Sequence, residues 1–300
     1  MGVNRVELKH LQTFRTLAEE LSFTRTAERL NYAQSSVSTQ IQMLEHEFGA
    51  PLVERMGKRI RLTAAGEHLL GYAHRLLGLA EEAHGTLARP DVVSGTLTVG
   101  SVESLCAYRL APVLKAYRDQ FPQVEIIFRT GICADLRKAV WHGSLDLAVT
   151  LEAPSQDPGL CFEILRPEPM QVLAPADHPL ARLAVVYPED LADQTLLLTE
   201  PGCSYRVMLE GALEGVGLSN PHVEFFSVEA IKQCVRAGLG VTLLPAMAVH
   251  EEIAQGSLVA LPWHGPEFSV STQLVWHKDK WLSPALLAFI EAARQLGDIE

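Results

Sequence analysis

Between Val6 and Phe48 the apolar residues recur at the spacing of three short helices, and the third turns an unbroken polar face outward. Leu8, Leu11, Phe14, Leu17 and Ala18 fall three and four residues apart and predict the first helix. Thr24 is placed to cap a second, ending near Leu30, in which Ala27 is small enough to let two helices cross closely. A third is expected from about Gln34 to Phe48, with Val37, Ile41, Leu44 and Phe48 inward. That set leaves Ser35, Ser38, Thr39, Gln42 and His46 outward, with Gln34 near the N-terminal edge. A face meant only for water usually carries Glu and Lys, which favour helix more than Ser and Thr do. Short hydrogen-bonding side chains instead suit base edges and phosphates in a DNA major groove.

After Gly49-Ala50-Pro51, the stretches Leu52–Arg55 and Arg59–Leu62 flank Met56-Gly57-Lys58 and read as a two-stranded wing. The wing carries Arg55, Lys58, Arg59 and Arg61, and Arg59 and Arg61 share its outward face. Charge agrees with a local nucleic-acid surface. The first 66 residues hold nine basic and seven acidic side chains, so +2 falls there and −13 on the rest of a chain of net charge −11. A protein basic throughout is excluded.

A long helix is expected from Thr63 to about Ala88, where Leu69, Tyr72, Leu76, Leu79 and Ala83 alternate three- and four-residue steps as a coiled-coil seam does. Arg89-Pro90-Asp91 reads as a linker. From Ser94-Gly95 onward short apolar strands alternate with helices, the pattern of an α/β fold with largely parallel sheets. The five cysteines have no metal-like spacing, so no metal is expected. There is no apolar run of about 18 residues and no signal-like start, which together predict a cytoplasmic protein without membrane contact.

Residues 6–66 resemble the DNA-binding domain of LysR-type regulators. The likeness lies in L-x-x-F at Leu11–Phe14, L-S-F-T-R-T-A-E-R-L at Leu21–Leu30, Q-S-S-V-S-T-Q-I-Q-M-L-E at Gln34–Glu45, and the F-G-A-P-L-V-E-R and L-T-A-A-G segments. It continues through D-L-A-V at Asp146–Val149, H-P-L-A at His178–Ala181 and A-G-L-G-V-T-L-L-P at Ala237–Pro245. The resemblance implies an N-terminal all-α winged helix-turn-helix over 1–62, a linker and dimerisation helix over 63–91, and an effector domain over 92–300. That domain would resemble type-2 periplasmic binding proteins, with lobe I over 92–165 and 266–300 and lobe II over 166–265.

It further implies a DNA-binding transcriptional regulator, not an enzyme, that needs no cofactor and answers to a small-molecule effector. Its partners would be double-stranded promoter DNA, further copies of the chain as a dimer of dimers, and RNA polymerase. Thr24, Arg25, Gln34, Ser35, Ser36, Ser38, Thr39 and Gln42 would meet DNA beside the wing's arginines and lysine. Ligands in open α/β sheets bind beyond the carboxyl ends of strands. On that rule Ser101, Val102, Glu103, Ser104, Thr150, Thr199, Gly202, Cys203, Tyr205, Ser227 and Glu229 are expected to line the effector cleft.

Two departures from the family pattern matter. Ala33 stands where a Ser or Thr is usual and cannot cap, which leaves Ser35 as the expected cap, and Thr39 replaces a residue that is often basic. Two alternatives stay open. Cys203 could act in a thiol-based redox-sensing regulator, although its next cysteine in sequence is Cys234. A solute-binding or enzymatic α/β protein is the other, and no Ser/His/Asp set or Gly-rich phosphate loop supports it.

Overall fold

The computed structural model describes residues 6–56, 59–88 and 92–297. Its N-terminal part contains α1 (Leu8–Glu20), α2 (Phe23–Leu30) and α3 (Gln34–Phe48), then the antiparallel strands β1 (Val53–Met56) and β2 (Arg59–Leu62). Leu11, Phe14, Leu17, Val37, Ile41 and Leu44 are buried and fill the core between the three helices. Thr13 Oγ1 donates to Gln40 Oε1 at 2.6 Å and pins α1 to α3.

The caps differ from expectation. Ser22 caps α2 by accepting from the Arg25 N–H, because the helix begins two residues earlier than Thr24 would allow. Helix α3 begins at Gln34 behind Ala33 with no side-chain cap, so Ser35 lies inside its first turn. Phe48 is exposed and lies outside the inward set, since the chain turns at Gly49 before its face can reach the core.

Helix α4 (Ala64–Ala88) follows directly, with the Thr63 hydroxyl accepting from the Gly66 N–H. A Cβ on Gly66 would sit 2.1 Å from the Leu52 carbonyl oxygen, so only glycine lets this helix begin against the wing. Leu69 is buried with Ala73 and Leu77 in the head's core and is not on the exposed seam. The four-residue step from 69 to 73 to 77 makes a stripe whose centre lies about a quarter of a turn from that of Tyr72, Leu76, Leu79 and Ala83, all exposed.

The larger body contains two sheets. One has the order β4-β3-β5-β12-β6, from β3 (Gly95–Ser101), β4 (Val124–Thr130), β5 (Leu147–Glu152), β6 (Leu160–Glu168) and β12 (Val270–His277). Its first three strands are parallel, while β12 runs antiparallel to β5 and β6. The other has the order β10-β7-β11, from β7 (Met170–Pro175), β10 (Thr242–Pro245) and β11 (Leu258–Ala260), all antiparallel. Beside it lies the parallel pair β8 (Leu196–Leu198) and β9 (His222–Glu224), tied to it by the Leu196–Val241 bridge. The sheets are thus mixed rather than largely parallel, because each time the chain passes between them a strand must run back along its neighbour.

The outward passage falls at Pro169, beyond Leu165, since β6 stays paired with β12 up to Glu168–Val270. Helices α5 (Glu103–Leu105), α6 (Ala111–Gln120), α7 (Cys133–Trp141) and α11 (Pro284–Arg294) accompany the first sheet, and α8 (Ser204–Glu214), α9 (Val228–Arg236) and α10 (His250–Ala254) the second. We call these units lobe I and lobe II. A π-helical turn, Cys106–Leu110, joins α5 to α6 in what the periodicity suggests is one helix.

Helix α4 also rests on lobe I. A Cβ on Gly71 would lie 2.9 Å from the His142 carbonyl oxygen, and the half-buried His74 feels the charges of Arg15 of α1, Arg129 of β4 and Asp146. Burial, then the two arginines, lowers the His74 pKa to about 4. Above the ordinary value near 6.5 both folded and unfolded chains hold this imidazole neutral. Between pH 6.5 and 4 only the unfolded chain takes up the proton, so stability falls on acidification. The expected loss is up to about 2 kcal/mol. Melting curves across that range should lose part of their slope in His74→Gln, and an unchanged slope would place the acid sensitivity elsewhere.

Candidate functional site

Two surfaces gather the residues singled out from the sequence. On the head, Gln34, Ser35, Ser36, Thr39 and Gln42 are exposed along α3, and Ser38 is half-buried beside them. Thr39 Oγ1 donates to the Ser35 carbonyl at 2.9 Å, so its hydroxyl proton is engaged within the helix while its lone pairs remain open. Met43, half-exposed, joins this face, and polarity alone could not have found it. Thr24 and Arg25 are exposed on α2, and the Arg25 guanidinium is held by the Glu20 side chain and carbonyl. On the wing Arg61 pairs across the strands with Glu54 at 3.2 Å, so a phosphate must compete with that carboxylate. Arg55 and Arg59 belong to β1 and β2, and Lys58 lies outside the described residues.

The second surface is a partly open cavity of about 420 Å³ between the lobes. Lobe I supplies Val102, Glu103 and Ser104 after β3 and Gly131, Ile132 and Cys133 after β4. Lobe II supplies Thr199, Glu200, Cys203, Ser204 and Tyr205 after β8 and Phe226, Ser227 and Val228 after β9. All four segments follow the carboxyl ends of parallel strands, where helices begin. The expected residues Val102, Glu103, Ser104, Thr199, Cys203, Tyr205 and Ser227 meet here.

Four others do not. Ser101 is fully buried in the sheet, its hydroxyl donating to the Val149 carbonyl at 3.0 Å, and Thr150 is fully buried on β5. Glu229 turns away to pair with Lys232 at 2.8 Å. Gly202 lines a neighbouring, more open cavity of about 770 Å³ beside Arg137 and Glu152. Glu200, Ser204 and Val228 lie within the strand-end stretches from Thr199 to Tyr205 and Ser227 to Glu229, whereas Gly131, Ile132, Cys133 and Phe226 were missed. The stretch after β4 carried the same strand-end signal, but its apolar side chains hid it.

Polar contacts cross between the lobes at the cavity. Ser104 and Tyr205 share a hydrogen bond between their hydroxyls, Ser204 Oγ donates to the Leu151 carbonyl at 2.6 Å, and the Val228 N–H donates to Glu103 at 3.2 Å. Cys133, not Cys234, is the cysteine that shares the cavity with Cys203, and both thiols are free. Burial raises both, Cys133 to about 12, so they stay protonated and weakly nucleophilic at neutral pH. That chemistry weighs against redox sensing. Among the described residues no group of His, Cys, Asp and Glu could hold a metal, and no helix is long and apolar enough to cross a membrane.

Comparison with known proteins identifies both parts of the chain. Residues 8–67 match the family described as bacterial regulatory helix-turn-helix protein, lysR family, and residues 90–298 match the LysR substrate binding domain. The chain belongs to the LysR family of transcriptional regulators. This LysR-family regulator is 45% identical over 291 residues to the HTH-type transcriptional regulator YwqM of Bacillus subtilis, covering 97% of its own length and 99% of the relative. It is 34% identical to the HTH-type transcriptional regulator GltR of the same organism, covering 96% of each. Among solved structures it superposes on a full-length OxyR from Pseudomonas aeruginosa with a TM-score of 0.75 and 28% identity, covering 98% and 95% of the two chains. The LysR-family regulator therefore has the DNA-binding head and effector-binding body of its relatives.

Proposed function

We propose that the regulator works in the cytoplasm without catalysis, as three units: the head, α4, and the two-lobed body. The observation that carries this reading is the polar face of α3, which the head's own core leaves uncovered. Gln34, Ser35, Ser36, Ser38, Thr39 and Gln42 enter the major groove, with Thr24 and Arg25 at its edge and Arg55, Lys58, Arg59 and Arg61 on the flanking backbone. The cavity between the lobes holds a small polar effector. No covalent chemistry is needed: an effector that favours one placement of the lobes shifts the placement of the heads and the bend of the DNA.

A gel-shift titration with the gene's own upstream DNA tests the reading. Ser38→Ala is expected to weaken specific binding by about 1 to 3 kcal/mol while leaving non-specific binding intact. Equal affinity of both proteins for every sequence would remove Ser38 from the interface.

The exposed seam of Tyr72, Leu76, Leu79 and Ala83 pairs two copies through α4, and two such pairs make a tetramer. Leu76 is 46% exposed in the single chain, and apolar side chains in line with it offer a partner a continuous stripe. Leu76→Asp buries a charge at that contact and is expected to dissociate the pair at micromolar concentration. A mutant that sediments as wild type would move the interface off this helix.

A further inference from the structure

The cavity's charges are unbalanced. Glu103 and Glu200 both line it, no Lys, Arg or His does, and neither carboxylate has an ion-pair partner among the described residues. Four cations on the neighbouring stretches are already committed: Arg206 to Glu210 and Glu224, Lys232 to Glu229 and Glu252, Arg109 to Glu168, and Arg137 to Glu152.

Of the backbone donors that could have held an anion on the lobe II side, those at the start of α9 are occupied from within. At the start of α9 Ser227 Oγ accepts from the Ala230 N–H and Glu103 from the Val228 N–H, whereas no side chain caps the start of α8. Glu103 thus sits where an effector's carboxylate would otherwise dock. A carboxylate has about four acceptor positions, so the Val228 contact leaves most of Glu103 open. Thr199 Oγ1, which also lines the cavity, is buried with no hydrogen-bond partner.

We propose that the effector of this regulator presents a positively charged nitrogen, an ammonium, amidinium or guanidinium group, to Glu103 and Glu200. The inference rests on the cavity being the effector site. An anion would meet two carboxylates at close quarters with no facing cation, while a cation supplies the missing charge and hydrogen bonds that are stronger for being charge-assisted.

The test uses the full-length protein and three molecules of equal reach: putrescine with two cations, succinate with two anions, and butane-1,4-diol with no charge. Agmatine, L-lysine and L-arginine extend the cationic set. Melting shifts followed by calorimetry are expected to find binding by at least one of the cations and not by succinate or the diol. Glu200→Gln, at the cavity rim, should weaken that cation by about tenfold or more, as should Glu103→Gln. The proposal is overturned if none of the cations binds, if succinate binds instead, or if both variants bind the cation as well as wild type does. Thr199→Leu separates the two levels of inference. A ligand of either sign whose binding survives it unchanged lies outside the cavity and overturns the cleft reading, whereas an anion whose binding it abolishes keeps the cleft and overturns only the charge.

Discussion

Glu168→Ala is expected to destabilise the two-lobed body by about 3 to 5 kcal/mol, the largest loss from any single charge in the fold. Glu168 is the last residue of β6, immediately before the chain passes to lobe II, and it is 2% exposed. Its carboxylate lies 3.2 Å from the Arg109 guanidinium and 3.4 Å from that of Arg166, and Thr272 Oγ1 of β12 donates to it at 3.0 Å. Removing the carboxylate takes the counter-charge from two largely buried guanidiniums that cannot shed their protons. Glu168→Gln keeps the shape and an acceptor for Thr272, so it should cost distinctly less. Urea melts of the three proteins decide the matter. Equal midpoints would mean that water or a rearranged partner already neutralises the arginines.

Phe14→Ala is expected to cost the head about 3 to 5 kcal/mol. Phe14 is fully buried on α1 among Leu11, Leu17, Val37 and Ile41. A unit of about 60 residues has little stability in reserve, so a cavity of that size should unfold it and abolish DNA binding. The body has cores of its own, which the substitution leaves untouched. The expected result is loss of the gel shift together with retention of a cooperative thermal transition from the lobes. Intact DNA binding would mean that neighbouring side chains collapse into the gap.

The head was the most legible part of the sequence because each of its helices has one wet and one dry face. Three- and four-residue spacing was enough to separate Val37, Ile41 and Leu44 from the residues exposed on α3. Its errors were local. Thr24 and Ser35 were chosen as caps by residue type, but the backbone enters each helix two residues earlier, at Ser22 and Ala33. Leu69 was misassigned because it lies at the edge of a core stripe only about a quarter of a turn from the seam.

In the lobes the strand-end rule found Ser104, Thr199, Cys203 and Ser227 but failed for Ser101 and Thr150. A strand covered on both faces offers no alternation from which to tell the face toward the cavity from the face toward the sheet's own packing. The antiparallel returns of β6, β7 and β12 were hidden for a related reason. A chain that shuttles between two sheets leaves no local mark of which sheet each strand joins.

Helix α4 has three commitments on three sides. Leu69, Ala73 and Leu77 belong to the head, Gly71 and His74 meet lobe I, and Tyr72, Leu76 and Leu79 face outward. Its angular phase is therefore fixed along its length. Inserting one residue between Gly71 and Tyr72 would rotate everything beyond by roughly 100° and turn the outward stripe off its axis, while inserting four would miss a full turn by only about 40°. The tolerance of such a helix to changes in length should thus be periodic rather than graded, much as a threaded coupling seats only at whole turns.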